Sequence, residues 1–404
     1  MVHLSIEWIL ISLGGVIVVS YLFSILSNYI RIPSVLLLLI TGIVLREISN
    51  ANGWQLPISS HAVEFFGAIG LVMIVLEAGL DLKLGRDKVA LISRSFLAAF
   101  FILVLSLAAV TAALYYWLHE PLHNCIVYAI PLSIMSSSIV IPSLHHLSEN
   151  KKEFLVYEAS FSDILGILLF NYFTAGEILT IKAVGSFVFT IIIAGILSVI
   201  FSVLLFIILT KSVMKIKFFL IFALLIVLYE GGKLMSLPSL LIILVFGLLM
   251  NNWHLVQLPL IRKSFSEEKV KEATHLLHSL TAESSFLVRT FFFLLFGYSI
   301  NIHAATSSSI IIIGSIIVVI LLITRFLYLR YFLRESVYPE VFFIPRGLIT
   351  VLLFYKIPAS YHPEKLQGGI LFFIVIVTSL IMMLGMIFYK KKENEIVVDE
   401  LLGN

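Results

Sequence analysis

What most limits the fold of this chain is a recurring unit: an apolar run of roughly the 20 residues that a helix needs to cross a bilayer, closed by a short polar connection and then begun again. Such runs cover 6–26, 33–48, 62–80, 91–117, 124–145, 153–174, 183–210, 216–233, 236–252, 276–302, 307–333, 338–356 and 366–389. About thirteen transmembrane helices are therefore expected. Hydrophobic residues at 60% against 13% charged, with a mean hydropathy of +1.09, exclude a soluble globular domain. The expected class is an all-α polytopic membrane protein. The first run carries Glu7 and lacks a basic leader and a small-residue cleavage site, so it reads as a retained helix. Cys125 is the single cysteine, which leaves no intramolecular disulfide and no cysteine-based metal site.

Basic residues fall unevenly between alternate connections. Of 27 Lys and Arg, 18 lie in one set: Arg31; Lys83, Arg86 and Lys88; Lys151 and Lys152; Lys211, Lys215 and Lys217; Arg262, Lys263, Lys269 and Lys271; Arg330 and Arg334; and Lys390, Lys391 and Lys392. The opposite set holds five, Arg46, Lys182, Lys233, Lys356 and Lys365. The positive-inside rule puts the richer set in the cytoplasm. An odd number of spans then places the N-terminus outside and the C-terminus inside. The connection 253–275 reads as a cytoplasmic helix start, and no segment is large enough for a soluble nucleotide-binding domain. Four arginines fall within spans, Arg94, Arg289, Arg325 and Arg346. Arg289 has no expected role beyond capping or an ion pair near Glu283.

Within this apolar frame one carboxylate stands out. Asp163 sits in Phe161-Ser162-Asp163-Ile164-Leu165-Gly166-Ile167, where its neighbours belong in hydrocarbon. Burying an ionised carboxylate is costly, so an acid inside a span reads as a functional site. Two spans are also expected to break. The fifth reads Ala129-Ile130-Pro131-Leu132-Ser133-Ile134-Met135-Ser136-Ser137-Ser138-Ile139-Val140-Ile141-Pro142, in which two prolines and a hydroxyl run free backbone groups that serines can satisfy. The twelfth reads Phe343-Ile344-Pro345-Arg346-Gly347-Leu348-Ile349-Thr350, with Pro, Arg and Gly together at membrane depth. They are the fifth of the first six spans and the fifth of the last six. Broken spans at corresponding positions point to two inverted six-helix repeats whose broken helices cross at an ion site. Enzyme signatures are missing: there is no HExxH, no P-loop and no Gly-x-Ser-x-Gly elbow, and His145 and His146 read as interfacial.

These residues resemble the monovalent cation/proton antiporters, the superfamily of sodium/proton exchangers and Kef-type potassium efflux systems. Arg31-Ile32-Pro33-Ser34-Val35-Leu36 through Gly42 is similar to the family's second helix, and Ile69-Gly70-Leu71 through Leu76-Glu77-Ala78-Gly79-Leu80 to its third. Glu158-Ala159-Ser160-Phe161-Ser162-Asp163 resembles the exchanger motif Glu-Ser-Leu-Leu-Asn-Asp, whose last Asp binds the ion. The resemblance gives Asp163 that role. It pairs Glu158 with Arg325 of Leu322-Ile323-Thr324-Arg325-Phe326-Leu327, and it matches Arg346-Gly347-Leu348 to the Arg-Gly step of the broken twelfth helix. Phe291-Phe292-Phe293-Leu294-Leu295-Phe296-Gly297 resembles the phenylalanine-rich tenth. Two positions depart from the exchanger pattern: Ser162 replaces the Asn beside the Asp, and Ser138-Ile139 replaces a Thr-Asp pair, which is closer to Kef-type proteins.

What the resemblance implies is secondary exchange of Na+, with K+ and Li+ as alternatives, for H+ by alternating access at Asp163, in the service of pH homeostasis. Ser162, Ser138 and Ser137, with carbonyl ends at the breaks, are the expected further oxygen ligands. Pro131, Pro142, Pro345, Arg346 and Gly347 form the broken helices. Glu158 and Arg325 read as a structural ion pair, and Glu77 as an interface acid or a funnel lining. The implied organisation is scaffold and dimerisation helices in 1–90, core helices in 91–174, a linker and scaffold in 175–306, core helices in 307–389 and a short tail in 390–404. The implied partners are the cation, the proton, membrane lipid and a second copy of the chain, in a bacterial inner membrane, with no nucleic acid and no cofactor. Three other readings remain beside this one: a channel or sensor on an antiporter scaffold, a sodium-coupled solute symporter of similar fold, and an intramembrane aspartyl protease, which would need a second Asp.

Overall fold

The computed structural model describes residues 6–30, 33–52, 60–85, 88–174, 181–211, 218–234, 239–253, 267–300, 302, 306–333, 337–358, 361 and 369–402. Among these residues the regular structure is helical, and each of the thirteen expected spans contains helix. The helices are α1 (Ile6–Ile30), α2 (Ser34–Ala51), α3 (Ser60–Asp81), α4 (Val89–Leu118), α5 (Leu122–Ser133), α6 (Ser137–Val140), α7 (Glu149–Thr174), α8 (Ile181–Lys211), α9 (Phe218–Leu234), α10 (Ser239–Asn251), α11 (Glu267–Ser299), α12 (Ser308–Tyr328), α13 (Leu348–Tyr355) and α14 (Gly369–Leu402). Tight 3-10 turns follow α6 (Ile141–His146) and precede α13 (Glu340–Phe342). Among the described residues seven spans are long and apolar enough by themselves to cross a membrane: Leu10–Ser27, Ser34–Ala51, Val89–Leu118, Leu122–Leu144, Val270–Ser299, Ser308–Leu333 and Gly369–Tyr389. Of the charges used for topology, Arg31, Arg86, Lys215, Lys217, Arg262, Lys263, Arg334 and Lys365 lie outside the described residues, as does Ile32 of the second-helix motif.

Helix α4 shows how sequence becomes membrane packing. Its 30 residues rise about 45 Å, longer than a hydrocarbon core of about 30 Å, which a tilt accommodates. Ser95, Ala98, Ala99, Ile102, Leu103, Ser106 and Val110 recur at helical spacing and are buried, whereas Phe96, Leu97, Phe100, Phe101, Val104 and Leu105 are exposed. The serines and alanines Ser95, Ala98, Ala99 and Ser106 thus lie on the protein-facing side, and small residues there let helices approach closely where water supplies no hydrophobic drive.

The chain forms two compact units. One comprises Met1–Glu64, Arg94–Gly166 and Thr290–Asn404. In it α12 packs on α14, α5 on α13, and the turn Glu340–Phe342 against both α12 and α14. Tyr128 of α5 meets Phe354 of α13 edge to face at 5.2 Å, Phe96 of α4 meets Phe161 of α7 at 5.4 Å, and the hydroxyls of Ser106 and Thr324 join α4 to α12 at 2.9 Å.

The second unit comprises Phe65–Ser93 and Ile167–Arg289, with α10 packed on α8 and α9. Asn252 ties the end of α10 to the end of α3, donating to the Leu82 carbonyl at 2.8 Å and accepting from the Leu84 N–H at 2.6 Å. Here the expectation for Arg289 is corrected. Its Nη2 lies 3.6 Å from Glu77 Oε1 across α3 and α11. Glu283 is six residues earlier on the same helix, about 240° round, so it faces away. Glu77 is therefore held in an ion pair, one turn from Asp81, which meets His278 Nε2 at 2.7 Å.

Candidate ion-exchange site

The fifth span breaks where neither proline sits. Pro131 lies inside α5, two residues before its end, and Pro142 lies in the 3-10 turn beyond α6. The extended residues are Ile134, Met135 and Ser136, bracketed by the prolines. Their backbone groups are satisfied from a distance. The Met135 N–H donates to Ser162 Oγ on α7 at 3.0 Å, and the Ser136 N–H donates to the Pro345 carbonyl at 3.0 Å. Residues 343–347 form the second break, ahead of α13, so the two unwound segments meet backbone to backbone. Gly347 allows that approach: a Cβ there would stand 2.5 Å from Ser136 Oγ and 2.9 Å from Ile139 Cδ1. Gly166 does the same for α7, because a Cβ would run into the Ile134 side chain.

Arg346 closes the break electrically. Its Nε donates to the Leu132 carbonyl at 2.7 Å and its Nη2 to the Ser133 carbonyl at 3.1 Å, while Nη1 bonds Ile344 O at 3.0 Å. Its own N–H donates to Thr378 Oγ1 at 3.1 Å. A guanidinium at 2% exposure thus occupies the negative C-terminal end of α5. This bears on one expectation: the two carbonyls at the end of α5, read from the sequence as part of a cation's oxygen shell, are held by a positive side chain.

The positive side of the break faces Asp163. Its Oδ2 accepts from the Ser137 N–H at 3.3 Å and the Ser137 hydroxyl at 2.5 Å. Its Oδ1 is buried with no hydrogen-bond partner among the described residues, and the residue is 5% exposed. Of the expected ligands, Ser137 therefore touches Asp163 directly. Ser162 supports the break through Met135, and Ser138 shares a 2.8 Å hydrogen bond with Ser136.

Glu158 lies five residues before Asp163 on α7 and forms a two-pronged pair with Arg325 of α12, at 2.6 Å and 2.8 Å. Both are 1% exposed. Arg325 also donates through Nε to the Glu340 carbonyl at 2.6 Å and approaches Met135 Sδ at 3.6 Å. A cavity of about 10 Å³, of the order that one water needs, lies among Ser106, Ser133, Glu158, Ser162, Arg325 and Arg346. Sequence reasoning placed Ser136 in the hydroxyl run of the fifth span and missed the parts played by Met135, Thr378 and Gly166. Only Gly166 carried a signal, as a lone glycine inside a helical run beside the key acid.

Residues 15–389 match the family model described as sodium/hydrogen exchanger, transmembrane. The chain belongs to the sodium/hydrogen exchanger family. It is accordingly an integral membrane protein of a transporter family, a cation/proton antiporter. A structure of the sodium proton antiporter MjNhaP1 from Methanocaldococcus jannaschii at pH 8 is similar over 94% of this chain and 98% of that one, with a TM-score of 0.69 at 17% identity. An electron-microscopy map of the same antiporter gives 0.66 at 18% identity over 99% of each chain. At such identity the likeness carries the fold alone, all-α and polytopic. No curated protein matches the chain.

Proposed function

We propose that the protein exchanges a monovalent cation, Na+ before K+ or Li+, for a proton at Asp163 by alternating access, one ion for one proton. The observation that carries this is the state of the carboxyl group: one oxygen is held by Ser137, the other is buried and unmatched among the described residues. An oxygen left so is the kind of group that a proton or a hard cation satisfies, and the two cannot do so at once. That competition couples the fluxes. Ser137, Ser162 and Ser138 are the proposed further oxygen ligands.

The neighbours support an electroneutral cycle: Ser162 stands beside Asp163 where a second carboxyl group would add a proton, and Glu158 is held in a two-pronged bond by Arg325. In the same reading the core segments 91–174 and 307–389 move relative to the rest of the chain, which works as a homodimer in a bacterial inner membrane with its N-terminus outside. The test is dye-reported proton movement in proteoliposomes on addition of Na+, K+, Li+ or choline. Movement with an alkali cation and none with choline supports exchange; identical traces with all four oppose it.

A further inference from the structure

Glu340 is held at both its ends. Its carboxylate receives Lys151 Nζ at 2.8 Å on Oε1 and 3.1 Å on Oε2, while its carbonyl accepts Arg325 Nε at 2.6 Å. Lys151 also donates to the Tyr338 carbonyl at 3.0 Å and sits 5.6 Å from the centre of the Tyr389 ring on α14. The two side chains are 23% and 10% exposed. The adjacent pair Lys152–Glu149, 3.9 Å apart and 42% and 74% exposed, has no such enclosure and is worth little.

These contacts close a ring. From Lys151 on α7 the path runs to Glu340, through its carbonyl to Arg325 on α12, and through the two-pronged bond to Glu158 it returns to α7. Lys151 and Glu158 are seven residues apart, hence on one face of the helix and about 10.5 Å apart along its axis. A single pair there would act as a pivot. Two contacts spaced by two turns hold α7 against both sliding and rotation. Asp163 is five residues beyond Glu158, about 140° round the helix, and its fit to Ser137 depends on both coordinates.

We infer that Lys151 and Glu340 are positioning residues for cation exchange: their pair sets the register of α7 and so places Asp163 against Ser137. The inference rests on the exchange reading above. Neither residue touches the proposed cation site, so their effect is transmitted through α7.

The experiment reads the half-saturating Na+ concentration for proton movement in proteoliposomes containing the full chain, with folded protein matched by gel filtration. The variants are Lys151→Met, Glu340→Gln, the milder Glu340→Asp, and the charge exchange Lys151→Glu with Glu340→Lys. Both neutral single variants are expected to raise half-saturation by about tenfold, in the same direction, as a displaced site loses affinity. Glu340→Asp follows by roughly threefold or more, and the charge exchange returns to within about threefold of wild type. Opposite shifts for Lys151→Met and Glu340→Gln would show that the charges act by their field on the cation, and would overturn the inference. So would unchanged half-saturation with only a lower maximal rate, or a charge exchange no better than either single change. A wild-type chain that moves no protons on any cation overturns the exchange reading and this inference with it, whereas an active wild type with unaffected variants overturns the positioning role alone.

Discussion

Neutralising one member of the Glu158–Arg325 pair is expected to cost more stability than neutralising Asp163. Arg325 makes two bonds of 2.6 Å and 2.8 Å to the carboxylate, a third of 2.6 Å to the Glu340 carbonyl and a 3.6 Å contact with the Met135 sulfur, all at 1% exposure. Glu158→Gln keeps the volume but leaves a guanidinium out of water with no counter-charge, and Arg325→Met leaves the carboxylate in that state. Breaking a buried pair in this way costs about 3 to 5 kcal/mol, roughly two to nearly four powers of ten in the folded-to-unfolded ratio. Asp163→Asn is different. Its side chain keeps an oxygen for Ser137 and orphans no opposite charge, so the expected change is within about 1 kcal/mol. The assay is thermal melting in one detergent of wild type, the three single variants and the double Glu158→Gln with Arg325→Met. Both pair variants should melt well below Asp163→Asn, and the double should lie nearer wild type than either, because no charge is left alone. Three single variants melting together, or a double that loses the sum of its parts, would refute the reasoning.

Gly347→Ala places a methyl group 2.5 Å from Ser136 Oγ, so it is expected to slow exchange and lower the melting temperature, and adding Ser136→Gly should recover part of both losses; a neutral Gly347→Ala in transport and melting would contradict the crossing of the two breaks. Exchange is expected to ignore membrane potential, since a net charge would couple it by about 2.3 kcal/mol per 100 mV. Clamping vesicles with valinomycin in a Na+ assay checks this, and an endpoint that follows voltage would bring in a second titrating group, with Glu77 the first to examine.

Hydropathy alone located helix in each of the thirteen expected runs, because a helix in lipid satisfies its own backbone and needs only length and apolarity. Asp163 was legible for the complementary reason, as a charge in a place that penalises charge. The break in the fifth span was legible as the stretch 129–142 and not to the residue. Prolines mark where a ladder bond is missing, but the chain opens at Ile134, Met135 and Ser136, because Ser162 and Pro345 supply partners for two of their N–H groups. Those partners come from α7 and from the second break, which local sequence does not reveal. Arg346 was singled out as part of the break and given no electrostatic task, since the two α5 carbonyls it binds lie more than two hundred residues away. Arg289 and Glu77 were both visible as ionisable groups within apolar runs, yet only the fold shows that they face each other. Lys151 was counted only among the cytoplasmic charges, and Glu340 was not singled out.

The central claim is that one carboxyl group carries either the proton or the cation. Its most direct test is Asp163→Asn in proteoliposomes, read by dye-reported proton movement on addition of Na+, K+ or Li+, with folding checked by gel filtration and melting. The amide keeps the volume and the Ser137 contact but takes up no exchangeable proton, so the variant should fold like wild type and show no cation-evoked movement. Movement at the wild-type rate from a folded Asp163→Asn protein would contradict the account.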